Sequence, residues 1–272
     1  MSTLAGIAAI VVGFLSGIFS GMFGVGGAVL TTPGIRVLGA TPIEAVGSTI
    51  PAILPGSLSG ALRYSRAGMV DWRVALTCGV LGSGMAVVGG ELSDHVNAHY
   101  LMLLTAALLL WTGLKNVRTV RAPVLVPLPA ADDVEVVDHG ETDLSTQPVD
   151  APLATVGAIG AAAGLLAGLL GVGGGILMVP AFTTLLRIPP KRAVATSLVG
   201  VAIFSVPAMI THALLGHIHW GYALCLVVGV VPGAQVGARV TIGGTEERLR
   251  LLMGVFFSVM AVAYGIGELR AL

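Results

Sequence analysis

The sequence predicts an all-α protein that crosses a membrane several times and consists of two repeats. Of its 272 residues, 55% are hydrophobic and only 10% are charged, whereas ordinary soluble domains carry about 25% charged residues. The hydrophobic residues form long runs without charge, which is typical of membrane-spanning helices. The same order of apolar segments occurs twice along the chain, so each half is expected to form one transmembrane repeat.

A glycine-rich segment interrupts the apolar pattern at the same place in each half. We call these segments the first glycine break (residues 21–27) and the second glycine break (residues 168–175). Each glycine destabilises a helix interior by about 1 kcal/mol relative to alanine, so a helix is expected to stop there. In a membrane, a broken helix is tolerated only where protein or a wet cavity satisfies its backbone groups. Breaks at corresponding positions of two halves indicate the substrate site of a transporter.

The apolar segments of the first half are residues 4–20, 28–38, 45–62, 74–90 and 100–114. The segment after the break is too short to cross a bilayer, which needs about 20 residues. We therefore expect the first two segments to form a hairpin or re-entrant element and the other three to span. Pro42 and Glu44 mark the start of a helix, because proline favours the first turn and an acidic side chain favours the positive end of the helix dipole.

The second half repeats this order with apolar segments at residues 152–170, 176–186, 193–215, 222–239 and 251–266. Gly168 follows Gly21 by 147 residues, and Trp220 follows Trp72 by 148. This is the period of a duplicated membrane unit. Residues 1–121 and 152–272 are therefore the two transmembrane repeats. Residues 122–151 carry seven acidic side chains and join the repeats as an acidic linker.

Basic residues indicate which loops face the cytoplasm. In the first half they follow the segments 45–62 and 100–114, whereas in the second half they follow the segments 176–186 and 222–239. Both sets face the cytoplasm only if each repeat crosses the membrane an odd number of times. The sequence therefore predicts two inverted repeats, each with a glycine-broken hairpin or re-entrant element and three spanning helices. The acidic linker is then cytoplasmic, and both chain ends lie outside.

Three sequence elements together resemble a known family. They are the paired Gly-x-x-Gly-Val-Gly-Gly elements, the Ala-Val-[Gly/Ala]-[Ser/Thr]-[Ser/Thr] segment after each, and the Gly-x-x-x-Trp sequences that begin at Gly68 and Gly216. The combination resembles the TauE/SafE family of sulfite and organosulfonate exporters, over both membrane halves but not over the linker. The resemblance implies a multi-pass carrier in the inner membrane, driven by the proton gradient, for small sulfur-containing anions such as sulfite, thiosulfate or sulfoacetate.

An anion that must be released again is expected to bind backbone N–H groups and hydroxyls. Glycines let the backbone approach such a ligand closely, and two pairs of hydroxyl residues occupy matched positions in the two halves. The predicted substrate-binding residues are Gly24, Gly26, Gly27, Gly171, Gly173, Gly174, Gly175, Ser48, Thr49, Thr196, Ser197 and Gln235. Close packing between helices is the alternative explanation for the glycines and the hydroxyls.

His212 lies inside the apolar segment 193–215 and is the candidate for proton coupling. Ionisable residues within membrane spans are usually functional, and histidine changes its charge near physiological pH. A histidine at the membrane interface is the alternative explanation, because His217 and His219 follow closely.

Other classes of function lack a motif in this sequence. It contains no H-E-x-x-H, no G-x-S-x-G and no G-x-x-x-x-G-K-[S/T], so neither an intramembrane enzyme nor an ATP-driven pump is expected. Nothing in the neutral net charge or in the two cysteines suggests nucleic acid, a metal or another cofactor. The expected partners are a small anion and the lipid bilayer, and a homo-oligomer is left open. An anion-selective pore and a carrier of a non-sulfur organic anion are the alternatives to transport of a sulfur-containing anion.

Overall fold

The computed structural model describes residues 3–121 and 151–269, and within these ranges the chain forms ten α-helices and no strand. The first half contains α1 (Thr3–Phe23), α2 (Ala28–Val37), α3 (Pro42–Arg66), α4 (Trp72–His95) and α5 (Ala98–Arg121). The second half contains α6 (Leu153–Leu170), α7 (Gly175–Thr184), α8 (Pro190–Leu214), α9 (Trp220–Gly243) and α10 (Glu246–Leu269). The predicted all-α fold is confirmed, and both halves have the same order of long and short helices.

Seven of the described helices are long and apolar enough to cross a membrane, namely α1, α3, α4, α6, α8, α9 and α10. The short helices α2 and α7 have ten residues each, and α5 falls outside the group of seven although it has 24 residues. Large apolar side chains such as Leu4, Val80 and Leu224 are exposed on the outer surface of the bundle. Such a surface suits contact with lipid.

The helix boundaries follow from local chemistry. As predicted, α3 begins at Pro42, where the hydroxyl of Thr41 accepts the backbone N–H of Glu44 and the Glu44 carboxylate accepts the N–H of Thr41. This reciprocal capping box satisfies two backbone donors that the helix itself leaves without partners.

α1 and α2 form a helical hairpin around the first glycine break. Gly27, just before α2, lies against Ser16 and Ser20 of α1, whereas Gly34 near the end of α2 packs against Val12. The short helix α2 therefore runs back along α1. In the second half, Gly174 just before α7 lies against α6 at the equivalent height. The two hairpin elements expected from the sequence are thus present.

Helices from different halves pack against one another at close range, with α1 against α9, α6 against α4 and α5 against α10. Along α6, three glycines at four-residue spacing face the backbone of α4, and a Cβ atom on Gly160 would lie 2.6 Å from the Cα atom of Cys78. Small residues at this spacing let membrane helices approach closely. The glycines of this stripe are Gly160, Gly164 and Gly168, and those of the matching stripe on α1 are Gly13, Gly17 and Gly21.

The central helices α3 and α8 run antiparallel to each other. Gly47, near the start of α3, packs against His217 just after the end of α8, and Gly60, near the end of α3, packs against Leu198 near the start of α8. Because α3 and α8 are equivalent helices of the two repeats, their antiparallel packing supports the predicted inversion. The orientation of the repeats relative to a bilayer stays a prediction.

The two ends of the bundle carry different ionisable groups. At the end where α3 stops and α8 begins, Arg192 pairs with Asp71. We call this the basic end; it also contains Arg63, Arg66, Lys191 and Arg250. At the opposite end, which we call the histidine end, His217 contacts Asp94. The positive-inside rule predicts that the basic end faces the cytoplasm. The predicted acidic linker, residues 122–151, lies outside the described residues apart from its last one.

Candidate substrate site

The glycine breaks are the points where the long helices α1 and α6 end and the short helices α2 and α7 begin. Six of the seven predicted glycines have backbone φ angles between 63° and 94°, a left-handed conformation that favours glycine. These six are Gly24, Gly26, Gly27, Gly171, Gly173 and Gly174. The seventh, Gly175, begins α7, and its lack of a side chain matters for the contact between the two breaks.

The two breaks lie in direct contact with each other. A Cβ atom on Gly175 would collide with the carbonyl oxygen of Gly24 and would lie 2.7 Å from the Cα atom of Val25. A Cβ atom on Gly26 would lie 3.6 Å from the Cα atom of Gly173. The structure thus brings the predicted glycines of both halves together.

The contact between the breaks lies at half the height of the bundle. Gly26 and Gly173 both pack against the side chains of Ile53 and Val201. Each of these side chains belongs to the twelfth residue of a 25-residue helix, counted from Pro42 in α3 and from Pro190 in α8. Transporter sites built from broken helices typically lie at this depth, near the middle of the membrane.

Two of the predicted hydroxyls bind the breaks, and each binds the break of the opposite half. The Thr49 hydroxyl on α3 donates to the carbonyl of Gly171 at 3.3 Å, and the Ser197 hydroxyl on α8 donates to the carbonyl of Gly24 at 3.0 Å. Both hydroxyls also lie within hydrogen-bond distance of a carbonyl in their own helix. Thr49 and Ser197 therefore fix the backbone of the breaks in this conformation.

The neighbouring hydroxyls have a different role. The Ser48 hydroxyl accepts the backbone N–H of His219 at 2.8 Å, and the Thr196 hydroxyl accepts that of Asp71 at 3.1 Å. They connect α3 and α8 to the starts of α9 and α4. Gln235 is exposed on α9, and the structure does not bring it to the two breaks.

His212 lies beside the second break. Its Nε2 atom is 2.9 Å from the carbonyl oxygen of Gly168, the first residue of that break. At the equivalent place in the first half, the Tyr64 hydroxyl donates to the carbonyl of Gly21 at 2.8 Å. Our sequence interpretation did not include Tyr64, although the 148-residue repeat aligns Tyr64 with His212.

Two further polar residues continue from His212 to the surface at the histidine end. Nδ1 of His212 lies 3.2 Å from Nδ1 of His217, and Nε2 of His217 lies 3.2 Å from Oδ1 of Asp94. His212 is 0% exposed and His217 is 7% exposed, whereas half of the Asp94 side chain is exposed. Asp94 belongs to the end of α4, so its contact with His217 depends on helix packing that no local pattern reveals.

The cavities lined by residues of the breaks themselves are small. Narrow crevices of about 10 Å³ flank each break, one between the first break and Phe256 of α10 and the other between the second break and Trp111 of α5. A larger cavity of about 100 Å³ lies beside α7 at the basic end. One water needs roughly 10–15 Å³, so this cavity has room for solvent or an ion. Its polar lining consists of Lys115, Asn116, Thr183, Thr184 and Arg250.

Pairs of charged residues at equivalent positions lie at the two ends of the central helices α3 and α8, but the residue types of the two pairs differ. At the basic end, the Arg192 guanidinium lies 3.7 Å from the Asp71 carboxylate, and both side chains are about nine-tenths buried. At the histidine end, the positions equivalent to these two residues are Glu44 and His219, whose charges lie close enough to interact. The pair at the histidine end therefore includes a histidine, whereas the pair at the basic end does not.

The fold and the central contact define a multi-pass membrane protein with two equivalent helical units and two broken helices that meet between them, which is the architecture of a membrane transporter. The profile of the family described as Sulfite exporter TauE/SafE matches residues 9–264. The chain belongs to this family.

Relatives of similar length come from bacteria and an archaeon. Probable membrane transporter protein YunE of Bacillus subtilis (strain 168) is 30% identical over 85% of this chain and 86% of its own length. A probable membrane transporter protein of Xylella fastidiosa (strain Temecula1) is 26% identical over 92% and 91% of the two chains. Probable membrane transporter protein MJ0441 of Methanocaldococcus jannaschii is 21% identical over 93% and 92%. No solved structure gives a significant match.

Proposed function

We propose that this protein is a secondary transporter that moves a small sulfur-containing anion, such as sulfite, thiosulfate or sulfoacetate, across the inner membrane by alternating access. The observation that carries the proposal is the direct contact between the two glycine breaks, halfway along α3 and α8. One substrate site shared by two equivalent halves is the arrangement that alternating access requires.

The chemistry of the breaks suits an anion. The short helices α2 and α7 both begin at this contact, so their unpaired N–H groups and positive dipole ends converge there. Carbonyl oxygens would repel an anion, but those of Gly24 and Gly171 accept hydrogen bonds from Ser197 and Thr49. The hydroxyls thereby offset the negative ends of the backbone dipoles and leave donors facing the site.

The conformation described here is closed around the proposed site, because the backbones of the two breaks touch. Substrate entry then requires the two halves to separate at one end while they remain closed at the other. A protein closed in this way is a carrier rather than a permanently open pore. The ion pair of Arg192 and Asp71 keeps the basic end closed in this conformation.

The cavity at the basic end is the place where we expect a cytoplasmic anion to bind first. Lys115 and Arg250 supply positive charge at the end of α7, whereas the hydroxyls of Thr183 and Thr184 donate to the carbonyl of Pro180. The Lys115 ammonium lies 3.5 Å from the Thr184 hydroxyl. An anion held here lies next to the helix that starts at the second break. Export from the cytoplasm is the direction that this arrangement favours.

The proposal is tested by ligand binding to the purified full-length protein. Thermal unfolding is measured with sulfite, thiosulfate, sulfoacetate, sulfate, acetate and chloride at one ionic strength and pH. A ligand at 100 times its Kd stabilises the folded protein by about 2.7 kcal/mol, so a sulfur-containing substrate should raise the unfolding temperature well above the chloride control.

Transport is then measured as counterflow in proteoliposomes loaded with the stabilising anion. Saturable exchange of that anion supports a carrier. Stabilisation by carboxylates alone would favour a carrier of organic anions, and conductive flux without saturation would favour a pore. Either of the last two results overturns the proposed function.

A further inference from the structure

His212, His217 and Asp94 form a continuous line of hydrogen-bond contacts from the second glycine break to the surface. The three contacts measure 2.9 Å, 3.2 Å and 3.2 Å, starting at the Gly168 carbonyl. Burial decreases along the same line, from a fully buried His212 to a half-exposed Asp94. Hydrogen bonding sets strict limits on how many protons such a line can hold.

The count of protons begins at the Gly168 carbonyl, which can only accept. Nε2 of His212 must therefore carry a proton, and in a neutral ring its Nδ1 atom is then an acceptor. Nδ1 of His217 must in turn donate to it. If His217 is also neutral, its Nε2 atom is a bare acceptor facing the acceptor oxygen of an ionised Asp94. Two neutral rings and an ionised carboxylate hold two of these protons in total. All three contacts can be hydrogen bonds only if the line holds one proton more than that.

We propose that His212, His217 and Asp94 form a proton-binding site that takes up one proton from the histidine end and couples it to the second glycine break. The extra proton has three positions that keep every contact bonded. It can sit on Asp94, which then donates to Nε2 of His217. It can move to that Nε2 atom and make His217 an imidazolium beside an Asp94 carboxylate. When His217 next passes its Nδ1 proton to Nδ1 of His212, the charge moves to His212.

Loss of the extra proton must break one contact of the line. Either two bare ring nitrogens face each other, or a bare nitrogen faces the Asp94 carboxylate. The remaining possibility is that His212 moves its proton from Nε2 to Nδ1, which removes the hydrogen bond to Gly168. The protonation state of the line is thereby linked to the backbone of the second break, where the proposed substrate site lies.

Other charged groups around the line lie at the histidine end. From α4 these are Glu91 and His95, from the start of α5 His99, from α3 Glu44, and from the start of α9 His219. α6, which carries Gly168, has no ionisable side chain. The end of α8 adds the negative end of its helix dipole, which favours a cation on His212 and His217.

The first break has no equivalent proton site among the described residues. Its Gly21 carbonyl is held by Tyr64, whose phenol keeps its proton at physiological pH. The positions equivalent to His217 and Asp94 are Met69 and Ile242. The proposed proton site therefore has no counterpart at the first break.

The proton site is tested first without transport, by nitrogen-15 NMR of histidine-labelled full-length protein. The chain has six histidines, and the variants His212→Tyr and His217→Gln assign the two buried rings. Near neutral pH, we expect the two rings together to carry part of the extra proton, in addition to the one proton that each neutral ring holds. The nitrogen-15 signals of a protonated imidazole should then disappear in Asp94→Asn. If both rings stay neutral between about pH 5 and pH 9, where histidine normally titrates, and a carbon-13 label shows that the Asp94 carboxyl stays ionised over the same range, the proton site does not exist.

Coupling to transport rests on the proposed function and is tested separately in proteoliposomes. With one proton carried per singly charged anion, a gradient of one pH unit supports about tenfold accumulation, because one pH unit is a tenfold ratio of protons. The rate of anion exchange without a pH gradient is measured on the same vesicles. Dividing by this rate corrects the accumulation for differences in the amount of folded and inserted protein. The corrected accumulation should fall to onefold in Asp94→Asn, His217→Gln and His212→Tyr.

His212→Tyr introduces the residue that the first half uses at this position, so a stable hydrogen bond to Gly168 is retained while titration is lost. His95→Gln is the matched control, since this exposed histidine at the same end lies outside the line and should accumulate about tenfold. Tenfold accumulation by Asp94→Asn would overturn the coupling. If the wild-type protein moves no sulfur-containing anion at all, the proposed function fails, while the NMR result still decides the proton site.

Discussion

Replacing Gly175 by alanine tests whether the contact between the glycine breaks is the substrate site. Gly175 begins α7 with an ordinary φ angle, so the change adds no backbone strain. Its new Cβ atom would lie 2.7 Å from the Cα atom of Val25 and closer still to the carbonyl of Gly24. Carbon atoms pack at about 3.5 Å or more, and the nearer carbonyl requires a still larger shift, so the two breaks must separate by at least ~0.8 Å.

This separation should affect binding more than stability. Overpacking typically costs about 1–3 kcal/mol, and alanine returns up to about 1 kcal/mol through its helix propensity. An anion hydrogen-bonded to both breaks would lose at least one charge-assisted bond, worth about 1.5–3 kcal/mol. The Kd of the anion should therefore rise by about 10- to 150-fold in a protein that still folds.

The assay is a titration of Gly175→Ala with the anion that stabilises the wild-type protein most. Gly84→Ala is the matched control, because Gly84 lies on the exposed side of α4 with no heavy atom within 4 Å of an added Cβ. The control should bind with the wild-type Kd. If Gly175→Ala binds and exchanges the anion like the control, the substrate site does not lie between the breaks.

Three further variants test packing, the hydroxyl contacts and the cavity at the basic end. Gly82→Ala places a Cβ 2.7 Å from a carbonyl of α6 and should destabilise the protein by about 1–3 kcal/mol in thermal unfolding, whereas Gly84→Ala should not; equal unfolding temperatures would contradict the close packing. Ser197→Ala exposes the carbonyl of the first break to the anion and should weaken anion binding several-fold in titrations, and an unchanged Kd would refute that role. Lys115→Gln with Arg250→Gln should lower the rate of anion uptake from the basic end at low salt, and the difference should shrink at high salt as charges are screened; a salt-independent difference would argue against electrostatic attraction.

The sequence predicted the fold well where the decisive chemistry is local. Breaks rich in glycine stop α1 and α6 whatever the rest of the chain does, and Pro42 with Glu44 starts α3 at the predicted residue. The pairing of α1 with α9 and of α6 with α4 was not predicted. Glycines at four-residue spacing reveal that one face of a helix packs closely, but they do not identify which helix packs there.

The structure brings the predicted glycines together, but it places only some of the predicted side chains at the glycine breaks. Thr49 binds a glycine break, whereas Ser48 binds the start of α9. Consecutive residues of an α-helix point about 100° apart, since there are 3.6 residues per turn. Adjacent hydroxyls therefore face different helices, and the sequence cannot choose between them until the neighbours are known. For the same reason, Gln235 is exposed although its neighbour Ala234 is buried in the contact between α9 and α1.

The differences between the two halves are more informative than their likeness. Three pairs of residues, each 148 positions apart, have equivalent places but different chemistry: Tyr64 and His212 at the breaks, Asp71 and His219 at the ends, and Glu44 and Arg192 opposite them. None of the three residues at the basic end is a histidine. At the histidine end, two of the three residues are histidines, the side chain whose ordinary pKa lies nearest to physiological pH.

A duplicated unit with identical chemistry at both ends would respond to protons in the same way from either side of the membrane. Here an arginine–aspartate ion pair at one end and a line of two histidines and an aspartate at the other make the two ends inequivalent. A proton gradient can drive net transport only if protonation has a different effect in the two access states. In the transport mechanism that we propose, divergence of the two repeats at these few positions supplies that difference, while the shared glycine breaks keep one substrate site between them.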